Sequence, residues 1–241
     1  MCRLAYIPAN CTLKPKKLVE LFSFLDSRQG GDGMGLGWIA SDCGKVEKSV
    51  KADVGALAKR AGRLVRAGHG VIFHARKASA GTICDRLCHP FTVDGPAWAG
   101  VLAHNGHDSG FATLGRWLEA KSSRPHSDSS AHAYALGLFG WAGIGPKVGN
   151  LGGVILSLGV DGSAQARKSD YGDLAYCPQY GIWASELPPW LVGYEVGAGT
   201  HELAAIPAKQ PAEKDFQSDW ASYYNREVKG GARCVVNLAR R

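Results

Sequence analysis

The chain turns apolar within its first four residues, at Leu4, Ala5, Tyr6 and Ile7, directly behind Met1, Cys2 and Arg3. Such an opening reads as a strand beginning at residue 2 or 3. A strand there holds the first atoms of the chain inside the fold, where termini otherwise fray. Whatever the fold, Cys2 stands at the start of one of its strands.

Behind that strand, Pro15 suits a first helical turn, and Leu18, Leu21, Phe22 and Leu25 keep the i, i+3, i+4, i+7 spacing of a half-buried helix that Gly30 can close. Gly30 to Gly37 reads as a glycine-rich turn feeding a strand at Trp38. A second helix is expected from Asp53 as its cap to about Gly68. Strands are expected at Val71–Phe73, ending in His74, Ala75 and Arg76, and at Trp98–Ala103, ending in His104, Asn105 and Gly106. Helices follow at Phe111–Glu119 and from Ser127–Asp128 through Phe139. Past Gly149 the pattern is β-rich: Val154–Val160, a hairpin signal at Asp161–Gly162, then Ala164–Arg167. Short strands are expected at Gly181–Ala184, around Tyr194, and at Leu203–Ile206, with a polar loop over Pro207–Asp219. The order is strands, helices, then strands, without internal repeats or a low-complexity linker. It favours an α+β or layered arrangement over an alternating parallel sheet, built as a single domain over residues 1–241.

The seven cysteines, at 2, 11, 43, 84, 88, 177 and 234, lack the look of a disulfide framework. No signal peptide and no apolar run of spanning length is seen, so free thiols in a reducing cytoplasm and no membrane partner are expected. The formal charge of +7 is spread rather than concentrated in a run, Arg240 and Arg241 apart. Nucleic-acid binding is not indicated. Cys84, Cys88 and His89 form C-x-x-x-C-H, but the spacing is not that of paired zinc knuckles. Thiols beside a turn are the simpler reading, and no metal is assigned.

Cys2 has a small side chain, so an aminopeptidase can remove Met1. The exposed residue then carries a thiol and an α-amine on one carbon. An α-amine with a pKa of about 7.7–8.0 is a suitable general base, and the thiol is a strong nucleophile. Three further clusters follow in order: H-A-R-K-A-S at His74–Ser79, with Gly81 and then H-P-F at His89–Phe91; A-H-N-G at Ala103–Gly106; and S-D-S at Ser127–Ser129. With M-C-R, the G-G-D-G-M-G-L-G-W run, the later A-R-K and W-A-S-E at Trp183–Glu186, this set resembles the glutamine amidotransferase domain of class II, a branch of the Ntn hydrolases, in its short stand-alone form. The resemblance covers about residues 2–206. Departures include Ala75 and Ser79 where the family often has Thr, His107 in place of an apolar residue, and Ser130 in place of Glu.

The resemblance implies a four-layer αββα sandwich with Cys2 at the end of a central strand. Cys2 attacks a glutamine-like amide, Asn105 and Gly106 hold the oxyanion, and Arg76, Ser79 and Asp128 bind the substrate's carboxylate and ammonium. No cofactor is implied. Expected partners are glutamine or a γ-glutamyl small molecule and a separate ammonia-accepting synthase subunit. The alternatives are hydrolysis of a γ-glutamyl amide in a larger molecule, and a non-catalytic Ntn scaffold or binding subunit. His74 and His104 are read as satisfied core histidines.

Overall fold

The computed structural model describes residues 2–79, 81–144 and 152–203. Expectations for Ile206, for the loop from Pro207 to Asp219, for Cys234 and for the terminal arginines lie outside them. The described residues fall within one compact unit, Met1–Ala208. The single-domain expectation reaches beyond it.

The first strand, β1 (Arg3–Ile7), is buried along its whole length. Its alternation explains why: Ala5 and Ile7 join one core while Leu4 and Tyr6 join another. Helix α1 (Pro15–Gln29) and helix α2 (Val54–Arg66) cover the first core. Pro15 opens α1, the Asp53 carboxylate accepts from Ala56 N–H at 2.6 Å to open α2, and Phe22 stacks on Phe73 with ring centroids 3.9 Å apart. Full burial of each such side chain is worth about 1.5–3 kcal/mol.

Strands β2 (Met34–Ala40), β3 (Cys43–Ser49) and β4 (Val71–Ala75) belong with β1. So do β9 (Ala175–Cys177), β10 (Ile182–Ala184) and β11 (Tyr194–Glu195). Their antiparallel order is β11-β9-β10-β1-β4-β2-β3. A second sheet holds β5 (Phe91–Val93), β6 (Gly100–His107), β7 (Gly152–Gly159), β8 (Ala164–Lys168) and β12 (Gly199–Glu202), ordered β12-β8-β7-β6-β5. The second core lies between the sheets, where Leu4, Tyr6 and Ile72 meet Ala103, Val154 and Leu156. A third core joins Leu102 and Ile155 to Ala133 and Leu136 of helix α4 (Asp128–Ile144), which packs beside helix α3 (Ser109–Ser122). The layers are helix, sheet, sheet, helix, as expected. Among the described residues no helix is long and apolar enough to cross a membrane.

One local expectation changes. The glycine-rich run is strand from Met34 onward. A Cβ on Gly37 would stand 2.3 Å from Val101 Cγ1, and one on Gly35 2.4 Å from the His89 carbonyl, so these glycines permit close packing rather than a turn. Asn105 and Gly106 lie near the end of β6, where the sequence puts them, paired with Val154 and Gly153 of β7. The last strand among the described residues is Gly199–Glu202; the expected strand at Leu203–Ile206 lies outside them beyond Leu203.

Candidate active site

Antiparallel pairing of β1 with β4 sets Arg3 opposite Ala75. Cys2 and the loop after Ala75 therefore leave the sheet at the same edge. Cys2 Sγ accepts from Lys77 N–H at 3.3 Å and faces Lys77 O at 3.4 Å. The start of β1 is clamped from the far side. Ser185 N–H donates to Leu4 O at 2.9 Å, and Leu4 N–H donates to Ser185 Oγ at 2.8 Å. Arg3, buried, pairs through Nε with Glu186 Oε2 at 3.3 Å and donates from Nη1 to Cys2 O at 3.3 Å. The other Glu186 oxygen pairs with Arg28 at 3.0 Å. W-A-S-E thus fixes where the sulfur sits.

The loop opposite is shaped by the glycine-rich segment. Arg76 N–H donates to Gly33 O at 2.8 Å, and Asp32 N–H to Arg76 O at 3.1 Å. The Asp32 carboxylate accepts from Ala78 N–H at 2.8 Å. Arg76 is buried, and its Nη1 donates to Thr82 O at 3.2 Å. The sequence reading missed Asp32; its signal was an acidic residue within a run of glycines.

Asp128 opens α4 but does not cap it. Ser127 and Ser130 form a reciprocal box: Ser130 N–H donates to Ser127 Oγ at 3.2 Å, and Ser127 N–H to Ser130 Oγ at 2.8 Å. The S-x-x-S spacing was the readable signal. The Asp128 carboxylate is instead turned to Ser129 N–H at 2.8 Å, Ser129 Oγ at 3.3 Å and Asp108 N–H at 2.9 Å, with His107 Nδ1 3.3 Å from Oδ2.

Cys2, Arg76, Ser79, Gly106 and Asp128 all line one cavity, with Lys77, His89 and His104 among the rest of its wall. Its free space is about 30 Å³, enough for a water molecule. Asn105 is the exception. It does not line the cavity, and strand alternation turns it toward the layer between the sheets, where it is buried with Oδ1 unpartnered.

Burial raises the Cys2 thiol's pKa above its ordinary value. The Lys77 backbone contact, the amino terminus and Arg76 pull it down, and Asp128 pushes it up. The resting sulfur is therefore a thiol, and a nucleophilic attack needs a base at the moment of reaction. Behind the cavity, His74, His89 and His104 are buried together. His74 Nε2 lies 3.1 Å from His104 O, the His74 and His89 ring centroids are 4.1 Å apart, and His104 N–H donates to His89 Nδ1 at 3.3 Å. Burial holds all three pKa values down, that of His74 at about 3. They are neutral near pH 7, so desolvation leaves a site without cationic imidazoles. The C-x-x-x-C-H residues diverge: Cys88 Sγ turns to Asp32 O and Cys84 O, while His89 faces the other histidines. Among the described residues no group of three or more His, Cys, Asp or Glu side chains is arranged to hold a metal ion.

Residues 1–122 match the family model described as glutamine amidotransferases class-II. The chain belongs to that family. Glutamine phosphoribosylpyrophosphate amidotransferase from B. subtilis, solved with ADP and GMP, superposes with a TM-score of 0.50 at 16% identity, over 77% of this chain and 42% of that one. The likeness shows the shared fold, and this class-II amidotransferase chain spans well under half the length of that enzyme. A glutamine aminotransferase class-II domain protein from Silicibacter pomeroyi gives a TM-score of 0.47 at 15% identity, over 86% of this chain and 100% of that one. None of the curated proteins matches.

Proposed function

We propose that this class-II amidotransferase hydrolyses the side-chain amide of glutamine to glutamate and ammonia, with Cys2 as nucleophile after removal of Met1. The observation carrying this reading is the meeting of Cys2, Arg76, Gly106 and Asp128 around a single cavity, from four separate stretches of sequence.

The freed α-amine of Cys2 takes the thiol proton, directly or through a water, as sulfur attacks the amide carbon. The carbonyl π electrons move to oxygen, and the Gly106 N–H and Asn105 amide stabilise the resulting anion. Asn105 must turn toward the cavity to do so. The protonated amine gives its proton to the departing nitrogen, the C–N bond breaks, and ammonia leaves a γ-glutamyl thioester. Water, deprotonated by the same amine, adds to the thioester; the C–S bond then breaks, giving glutamate and restoring the thiol. Arg76 pairs with the substrate carboxylate and Asp128 with its ammonium. That ammonium displaces the 3.3 Å contact of the exposed His107 with Asp128 Oδ2. A cavity of about 30 Å³ does not admit an amino acid, so binding moves the wall contributed by Lys77–Ser79.

Ammonia is proposed to pass to a separate synthase subunit in the cytoplasm. A second reading, cleavage of a γ-glutamyl amide in a larger molecule, is favoured by one feature. Lys77 also lines a surface hollow of about 480 Å³ formed by Asp26–Gly30 at the end of α1, a size that suits an additional ligand group.

Intact mass is expected to show loss of Met1, and a glutamine-like electrophile to label Cys2. Retention of Met1 in active protein, or full ammonia release by Cys2→Ala, sinks the reading. Turnover without a partner on γ-glutamyl amides but not on glutamine would favour the second reading.

A further inference from the structure

The histidine preceding Asn105–Gly106 spans the space between the proposed ammonium site and the proposed oxyanion site. His104 is 1% exposed. Its Nδ1 lies 3.0 Å from Ser129 Oγ, and Ser129 Oγ lies 3.3 Å from Asp128 Oδ1. Ser129 has one hydroxyl proton, and the carboxylate is its stronger acceptor. The hydroxyl therefore donates to Asp128 and accepts from His104 Nδ1–H. That tautomer leaves Nε2 a bare acceptor. Nε2 is buried and has no hydrogen-bond partner. It stands against Gly106, where an added Cβ would approach it to 2.6 Å, and His104 lines the cavity.

We infer that His104 is a positioning residue for substrate recognition: through Ser129 it holds the Asp128 carboxylate in place for the substrate's α-ammonium. This rests on the glutamine-hydrolysis reading above. The residue is held at both backbone groups and at the ring. Its backbone N–H donates to His89 and its carbonyl faces His74 Nε2, while the buried ring meets Ser129 through Nδ1, so the imidazole is a fixed strut rather than a free side chain. Remove it, and the Ser129 hydroxyl loses the donor that orients it, which frees its proton to turn from Asp128. The carboxylate then keeps its backbone donors, Ser129 N–H and Asp108 N–H, and loses one of the contacts that fix its tilt.

The test compares L-glutamine with its deamino analogue, which keeps the carboxylate and side-chain amide but lacks the ammonium. For His104→Ala, KM for glutamine is expected to rise roughly tenfold, as for loss of one charge-assisted contact, with kcat held. KM for the deamino analogue should not move. Ser129→Ala should reproduce the effect, and the double variant should be no worse than either single one, because both cut the same chain of contacts. His104→Asn, whose amide N–H can replace Nδ1–H, should restore much of the loss. Equal loss of kcat on both substrates would overturn the inference in favour of action at the reacting carbon. Unchanged kinetics in both single variants would also overturn it. Should His104→Ala fail to fold, Ser129→Ala and His104→Asn carry the same comparison. Failure of the underlying reading is visible separately, as wild-type protein that neither releases ammonia from glutamine nor is labelled at Cys2 by a glutamine-like electrophile.

Discussion

Replacing Gly106 with alanine tests stability and the site together. The new Cβ would fall 2.0 Å from Gly152 O, 2.6 Å from His104 Nε2 and 2.8 Å from Gly152 C. Two of these atoms are backbone of the paired strand β7, so no rotamer change relieves the collision and β6 must shift. Overpacking of this kind costs about 1–3 kcal/mol, and each kcal/mol lowers Tm by roughly 2–4 °C in a chain of this size. The same shift moves the Gly106 N–H away from the proposed oxyanion, a loss worth about 2.7–4 kcal/mol of barrier, or about 10²–10³ in kcat. Gly37→Ala supplies the control. Its Cβ would meet Val101 Cγ1 at 2.3 Å and Pro90 at 3.1 Å, between the sheets and outside the cavity. Both variants should melt earlier in calorimetry, but only Gly106→Ala should lose turnover in the folded fraction, measured as ammonia release well below Tm. A Gly106→Ala protein with wild-type kcat would refute the assignment of that N–H to the oxyanion. Wild-type Tm would refute the steric argument.

Acid should destabilise the fold through its buried histidines. His74 and His132 have folded-state pKa values of about 3, against about 6.5 unfolded. Below pH 6.5 the unfolded chain binds protons that the folded one refuses, so stability present above that pH is lost toward pH 3, at about 1.4 kcal/mol per pH unit for each histidine; Tm measured from pH 7 to 4 should fall, and a flat profile would contradict it. The raised Cys2 pKa predicts that iodoacetamide labelling of Cys2 climbs with pH to a midpoint above that of a free thiol, read by peptide mass; a midpoint below neutrality would show a pre-formed thiolate instead. Glu186→Gln removes the charge shared by Arg3 and Arg28, leaving the mostly buried Arg3 without its counter-ion. Tm is expected to fall by several degrees and kcat by more than KM rises, since the strand carrying Cys2, the proposed nucleophile, is loosened rather than the substrate contacts.

The helices and the hairpin at Asp161–Gly162 were legible because their signals are local: Pro15, the Asp53 cap and the 3.6 spacing act within one segment. The gathering of Cys2, Arg76, Ser79, Gly106 and Asp128 was legible through an ordered set of motifs. What stayed hidden depends on atoms far apart in sequence. Gly35 and Gly37 look like turn residues until Val101 arrives from the second sheet and His89 and Pro90 from the segment leading into it. Strand β3, with its alternating half-exposed charges, carries too little apolar signal to read as a strand, and pairing with β2 makes it one. Ser127 caps α4 with a side chain three residues away rather than with an acidic partner, a pairing the S-D-S motif does not display, and it leaves the Asp128 carboxylate free for other donors.

The same reasoning explains why W-A-S-E, at Trp183–Glu186, bears on the position of Cys2. A residue next to a chain end has few covalent restraints, and holding its sulfur costs conformational entropy. Helix packing against Ala5 and Ile7 fixes β1 as a whole but not its first atoms. Those are held by Ser185, which bonds both the N–H and the carbonyl of Leu4, and by Arg3, which reaches back to the Cys2 carbonyl while Glu186 holds its guanidinium. Lys77 then meets the sulfur from the loop after β4. The position of Cys2 is thus set by contacts from both sides of its strand: Ser185, Arg3 and Glu186 on one, Lys77 on the other.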